Sequence, residues 1–160
     1  PMVIFEDDVE VASDLAEVLA WLPDQLARYG YIRLAAHHAV PARDLAPAPG
    51  GRRLVRLSKG PFGVYGYAIS PEAAQRLVEG CQRIVRSIDE AVDRFWAHGV
   101  LPYAVLPYPA WESPAQPSII DAEIVRKGWR PDTRWDYVRL KARRHRDSIV
   151  RRVFNWRVPG

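Results

Sequence analysis

Glu6, Asp7 and Asp8 are three consecutive carboxylates directly behind the apolar run Met2, Val3, Ile4, Phe5. Adjacent carboxylates repel one another unless a cation or solvent separates them, and hard divalent cations such as Mg²⁺ or Mn²⁺ take oxygen ligands of this kind. An apolar run ending in acids reads as a buried strand that delivers charge to the rim of a sheet. In open α/β sheets that rim is where ligands bind. A solvated acidic turn after a strand fits the same residues without any chemistry. Lower in weight come His37 and His38 behind a predicted strand, Tyr65 and Tyr67 flanking Gly66, and Cys81. The histidine pair has no matching acid spacing for a metal site. Cys81 falls on an apolar stripe and is expected to be a buried small hydrophobe.

The elements that must position these residues follow from period and caps. Ser13 and Asp14 are N-cap candidates, with Glu17 as the capping-box partner of Asp14. Leu15, Val18, Leu19 and Leu22 continue at helical spacing until Pro23, which ends or kinks the run. Residues 31–35 alternate like a half-buried strand, residues 41–51 are rich in Pro, Ala and Gly and read as a surface loop, and residues 54–57 and 64–69 read as short strands. Ser70 and Pro71 open a helix whose stripe is Ala73, Ala74, Leu77, Val78 and Cys81. Ser87 and Glu90 form a second capping box, opening a helix with Val92, Phe95 and Trp96 inward and Gly99 as its stop. Residues 101–106 are a strand interrupted by Pro102, expected near a sheet edge. The order β-α-β-β-β-α-α-β is mixed α/β, without an internal repeat.

Bulk properties frame this reading. A chain of 160 residues, 48% hydrophobic and 26% charged, is one folded domain or most of one. The lone Cys81 excludes an internal disulfide framework and fits a reducing compartment. No apolar stretch approaches the length of a membrane span. The formal net charge of +4 hides an asymmetry, with acids at the start and arginines at the end. There is no signal peptide, and strand-like sequence at Pro1 and Met2 leads to the expectation that something upstream is missing.

Residues 126–160 form a separate tail behind a domain spanning 1–125. The tail combines tryptophans with Arg139, Lys141, Arg143, Arg144, Arg146, Arg151 and Arg152, beside Ile149, Val150, Val153 and Phe154 at helical spacing. Such a helix suits an anionic membrane surface or a nucleic-acid backbone, or packs its stripe on its own domain.

Two families open an element with an apolar run into Glu-Asp-Asp. A response-regulator receiver domain would need a second buried strand ending in an Asp. Asp44 sits near the right distance, but the Val40, Pro41, Ala42, Arg43 stretch before it cannot be that strand. Lys59, Gly60, Pro61 resemble the receiver's Lys-Pro turn yet come too early. The second match extends further. The run from Val3 to Asp8, the block from Gly66 and Tyr67 through Ser70, Pro71 and Ala74, and the helix start Ser87, Ile88, Asp89 followed by residues 101–107 stand in the order of three blocks of the family 25 glycosyltransferases. Together they cover about two-thirds of the chain. The chain resembles this lipooligosaccharide galactosyltransferase group, whose relatives also modify collagen.

The resemblance implies a GT-A-like mixed sheet with flanking helices, incomplete at the amino-terminal side, where the family carries a further α/β portion. It implies a nucleotide-diphosphate-sugar donor, a saccharide or lipid-linked saccharide acceptor of lipopolysaccharide type, and inverting transfer assisted by Mn²⁺ or Mg²⁺. Glu6, Asp7, Asp8, Gly66 and Tyr67 would face the donor, Glu6 and Asp8 the metal, and Asp89 would be the base. A helix dipole also favours an acid at Asp89 with no catalysis involved. In the segment 116–120 the family's closing acid is replaced by Ile119. The expected setting is cytoplasmic and peripheral, with the basic tail on the inner face of the plasma membrane and no nucleic-acid partner. The alternative is a truncated, non-catalytic relative that acts as a membrane- or nucleic-acid-binding module. On the truncated reading, the isolated chain would bind nucleotide sugars weakly and self-associate through an open sheet edge.

Overall fold

Apolar residues of the strands and helices sort onto two faces of one sheet in the computed structural model, which describes residues 1–82, 87–113 and 133–158. The chain divides into two compact units, Pro1–Glu112 and Ser113–Pro159. The first unit runs β1 (Met2–Phe5), β2 (Val9–Val11), α1 (Leu15–Tyr29), β3 (Tyr31–Ala35), β4 (Ala42–Ala48), β5 (Arg52–Leu57), β6 (Gly66–Ile69), α2 (Pro71–Gly80), α3 (Ile88–Val92), α4 (Phe95–His98), β7 (Tyr103–Leu106) and β8 (Ala110–Glu112). Six strands form a mixed sheet in the order β1-β6-β3-β7-β5-β4, in which only β3 and β7 are parallel. This six-stranded mixed sheet with flanking helices is compatible with the GT-A-like arrangement that the resemblance implies.

Because successive strand residues point to opposite faces, β3 supplies both layers. Ile32 and Leu34 pack with Val18, Leu22 and Leu26 of α1, while Tyr31 packs with Ile69, Ala73, Val92 and Val100 on the side of α2 and α3. All five residues of β3 are buried, including Arg33.

Several expectations change in the structure. β1 is not a buried central strand but an edge strand: among the described residues it pairs only with β6, and Met2 and Val3 are exposed. Residues 42–48 are not loop but the strand β4, antiparallel to β5. It is the far edge of the sheet, where Pro47 needs no second partner, and a register shift between Asp44 and Ala46 marks a bulge. Helix α1 continues through Pro23 to Tyr29, because Val18, Leu22 and Leu26 are buried on both sides of the proline. Asp14 makes no side-chain cap on that helix. Its carboxylate instead accepts from Arg52, with Nη2 to Oδ1 at 2.9 Å, and this pairing holds its pKa below the ordinary value. Pro102 does not mark an edge: it stands ahead of β7, which lies between β3 and β5, and its carbonyl accepts from Leu57 N–H at 2.9 Å.

The helix expected after Ser87 is two short ones. Ser87 caps α3 by accepting from Glu90 N–H, Gly99 ends α4 in the left-handed region, and Trp96 is only half-buried. In α2, Ser70 caps as expected, but Val78 is exposed and Cys81 is half-buried. The pairing of β2 with β8 carried no signal in the sequence.

In the second unit, α5 (Arg134–Arg157) is capped by Thr133, whose hydroxyl accepts from Asp136 N–H at 3.1 Å. The boundary expected between 125 and 126, and the segment 116–120 with Ile119, lie outside the described residues. No helix among the described residues is long and apolar enough to cross a membrane.

Gly66 faces Phe5 across the β1–β6 pair, and a Cβ there would stand 2.7 Å from the Phe5 ring and 3.2 Å from Ala35 Cβ. Gly66→Ala is therefore an overpacking change, expected to cost about 1–3 kcal/mol. Shortening the ring in Gly66→Ala/Phe5→Leu should return part of that loss, measured by denaturant unfolding of wild type, Gly66→Ala, Phe5→Leu and the double variant. Additive losses in the double variant would show that the ring is not the obstacle.

Candidate functional site

The acids leave the sheet at the end of β1. Glu6 N–H donates to the Tyr65 carbonyl at 2.8 Å, the last tie before the turn at Asp7 and Asp8, after which the chain re-enters the small sheet β2–β8. Glu6 carries a pKa above its ordinary value. Desolvation is the first cause, followed by the negative charges of Asp8, Asp89, Asp7 and Glu112. Four other carboxylates, from three parts of the chain, thus bear on Glu6 at this rim. Asp89, in the first turn of α3, is brought to the acids of β1 from across the sequence.

Glu112 arrives from β8, and it brings a histidine with it: His37 Nδ1 stands 3.5 Å from Glu112 Oε2. The His37 ring meets Tyr65 edge-on at 4.4 Å between centroids, and His37 N–H donates to the Phe62 carbonyl at 3.2 Å. Gly63, at φ +72°, permits this closeness, since a Cβ there would stand 2.8 Å from the Tyr65 ring and 3.0 Å from His37 Cδ2. His38 packs its ring 5.6 Å from that of His37.

Behind the rim lies a buried guanidinium. Arg33 is inaccessible to solvent, donates from Nη2 to Asp93 Oδ1 at 2.6 Å, and donates from Nη1 to the Gly63 carbonyl. The second Asp93 oxygen accepts from Phe62 N–H at 2.9 Å. Burial nonetheless raises the Asp93 pKa, against the lowering effects of Arg33 and of the Phe62 hydrogen bond, while Asp89 adds to the rise. Three phenols lie in the same field. Burial raises Tyr31 and Tyr67 and pushes Tyr108 up to about 12, while Arg33 lowers each. Tyr67 also feels the negative charge of Glu6, which adds to the rise. Its ring packs 5.4 Å from Tyr31 and borders a largely apolar cavity of about 480 Å³ that Ile4, Ile69, Leu77 and Val92 also line.

The residues singled out in the sequence therefore divide. Glu6, Asp7, Asp8 and Asp89 share one electrostatic site, and Tyr67 borders it. The absent side chain of Gly66 is accounted for by the Phe5 ring. Sequence reasoning missed Glu112, Arg33 and Asp93. A charge in the middle of an otherwise apolar strand was the available signal for Arg33; Glu112 and Asp93 had none.

Whether the rim suits a hard divalent cation is testable on the donors present. Among the described residues no group of three or more His, Cys, Asp or Glu is arranged to hold a metal by itself. Mg²⁺, however, is held in nucleotide sites by one or two carboxylates plus substrate phosphates and water rather than by an all-protein cage. Asp8 Oδ1 is buried with no hydrogen-bond partner, and Glu6 sits in uncompensated negative charge. An orphaned carboxylate oxygen beside crowded carboxylates fits such a partial shell.

Crowding at Glu6 has a pH signature. A carboxyl whose folded pKa lies above its unfolded value contributes stability below the unfolded pKa, and that contribution is lost as pH rises through the folded pKa. Glu6→Gln removes the penalty, so the variant should melt above wild type at pH 7. The two melting temperatures should converge as pH falls through the carboxylate range. A variant less stable than wild type at pH 7 in metal-free buffer would refute the crowding.

Comparison with known proteins adds one match. The model of Glyco_transf_25, glycosyltransferase family 25 (LPS biosynthesis protein), matches residues 1–96, which contain β1 with its acids, Gly66, Tyr67, Asp89 and Asp93. No curated protein and no solved structure matches the chain.

Proposed function

The chain belongs to glycosyltransferase family 25 and is a glycosyltransferase, and from that premise we propose that its acidic rim binds a nucleotide-diphosphate sugar and transfers the sugar, with inversion, to a saccharide acceptor of lipopolysaccharide type. The observation that carries this reading is that Asp8, behind β1, and Asp89, in the first turn of α3, both act on Glu6. In an inverting transfer the acceptor oxygen attacks the anomeric carbon on one face. The bond to the pyrophosphate breaks on the other, and the hydroxyl proton must go to a base. Two sets of carboxylates with different tasks are what that geometry requires.

Glu6 and Asp8 are the residues that would hold Mn²⁺ or Mg²⁺, one of them also reaching the ribose or a metal-bound water, with Asp7 and Tyr67 beside the donor. When bound, the cation neutralises charge building on the diphosphate leaving group. Asp89 takes the acceptor proton. Its place in the first turn of α3 fixes the backbone that presents it. Arg33 holds Asp93 four residues further along, at the C-cap of α3, and so fixes the short helix that presents Asp89. The acceptor is a lipid-linked saccharide, and the basic second unit keeps the enzyme at an anionic membrane surface. We further assign the carboxy-terminal division as residues 1–125 for transfer and 126–160 for attachment.

The two carboxylate roles separate experimentally. Asp89→Asn preserves size and most of the capping capacity while removing the base, and losses of general-base catalysis run to roughly 10²–10⁴-fold. We expect a fall in kcat of that order with the Kd for the nucleotide sugar, by calorimetry, changed less than threefold. Asp8→Ala should instead abolish both Mn²⁺-dependent donor binding and transfer. If Asp89→Asn lowers the melting temperature while turnover per folded molecule holds, Asp89 is a helix-stabilising acid. Full activity of wild type in chelator would remove the metal from the reaction.

A further inference from the structure

Helix α5 contains no buried residue, and six of its apolar side chains gather on one side, while Tyr137, Leu140, Val150 and Phe154 lie on other sides. With about 100° between successive residues, Val138, Trp156, Ile149, Ala142, Trp135 and Val153 all project within one sector of about 60°. All six are exposed, and the two tryptophans most of all, Trp135 at 74% and Trp156 at 82%. The tryptophans stand at the two ends of the stripe, roughly 32 Å apart at ~1.5 Å per residue.

Charge is arranged around this stripe on both sides. Arg134, Arg152 and Lys141 project within about 60° of one border, and Arg146, Arg139 and Arg157 within about 40° of the other. The helix's two acids, Asp136 and Asp147, are half-buried on the far side, which Arg143, Arg144 and Arg151 share. The exposed face is therefore apolar at its centre, aromatic at its ends and cationic along both edges.

We infer that this face of α5 is an interfacial membrane anchor, lying parallel to an anionic lipid surface with the stripe from Trp135 to Trp156 sunk among the headgroups. The inference rests on the reading of the chain as an enzyme that acts on a lipid-linked acceptor, and it names the surface that meets the lipid. Each part of the pattern has a physical counterpart there. Apolar side chains enter the headgroup and acyl boundary by about 5–10 Å. Tryptophan concentrates at that depth because its ring is apolar and its N–H is polar. Cations on the two flanks reach lipid phosphates at once, each contributing about 1 kcal/mol near an anionic surface.

The other occupants fit less well. A second copy of the helix, laid stripe to stripe, would bring cationic edges against cationic edges. A nucleic-acid backbone is met by the cations alone and leaves the apolar centre without a partner. The face also differs from the one that the sequence indicated, because Val150 and Phe154 lie outside the sector that holds Ile149 and Val153.

That difference supplies the test. The full 160-residue chain is sedimented with vesicles of phosphatidylglycerol and phosphatidylcholine, and transfer to a water-soluble saccharide is measured in parallel. Trp135→Ser/Trp156→Ser should lower the partition coefficient at least tenfold, Ile149→Ser should lower it severalfold, and Val150→Ser, one position away, should change it less than twofold. Unchanged partition in the tryptophan double variant would overturn the proposal, showing attachment by charge alone. So would a salt-resistant dimer in place of vesicle binding, or tighter binding to duplex nucleic acid than to vesicles. Transfer to the soluble acceptor should be equal in all four proteins. If wild type fails to transfer, the enzymatic reading falls while the vesicle result stands; if only the partition result fails, the anchor falls and the enzyme stands.

Discussion

The Arg33 guanidinium, buried beside the middle of a sheet, is the constraint on which the rest of the site depends. A buried cation is tolerable only if it is paired and hydrogen-bonded, and removing one partner from such a pair costs about 3–5 kcal/mol. Arg33 meets that demand by tying three separate segments together: its own strand β3, the loop that presents the Gly63 carbonyl, and the α3–α4 junction that presents Asp93. The Phe62 N–H closes the arrangement by donating to the free oxygen of Asp93. Each catalytic candidate is then positioned at one remove. Asp89 lies at the start of the helix that Asp93 caps, and the loop continues into Tyr65, whose carbonyl receives the N–H of Glu6.

Much of the fold was legible because local chemistry and tertiary position agree. Ser70 followed by Pro71, Ser87 with Glu90, and Gly99 mark helix ends by backbone requirements that no distant contact has to supply. The failures arise where a distant partner overrides the local signal. The Pro and Ala content of residues 42–48 is loop chemistry, and only the presence of β5 on one side turns it into an edge strand. Pro23 carries a helix-ending signal that the packing of Leu22 and Leu26 against the sheet outweighs. Asp14 has the right type and place for a cap, but its carboxylate is claimed by Arg52 from the β4–β5 hairpin.

The site shows the same division. Glu6, Asp7 and Asp8 are legible because the acids and their strand are contiguous. Asp89 was legible only through the family's order of blocks, since nothing within residues 87–93 says which charge it will meet. Arg33 alternates with Ile32 and Leu34 and would face solvent on a one-sided sheet. It is buried because β3 is covered on both faces, a property of the layers rather than of the strand. Asp93 and Glu112 follow from that burial and from the β2–β8 pairing, and both are set by contacts distant in sequence.

The same crowding that identifies the rim also limits how it can exist. Carboxylates held together have three sources of relief: water, a proton, or a cation. Partial burial withdraws the first from Glu6, and its raised pKa shows the pull toward the second. A divalent cation competes for the same oxygens that a proton would occupy, so any metal bound by Glu6 and Asp8 must displace proton occupancy as pH falls. Asp8 lacks even a hydrogen bond to its buried oxygen, His37 stands beside Glu112, and among the described residues no ion pair reaches Glu6. The buried charge of Arg33 is held by Asp93. Among the described residues, the acids around Glu6 thus keep an excess of negative charge.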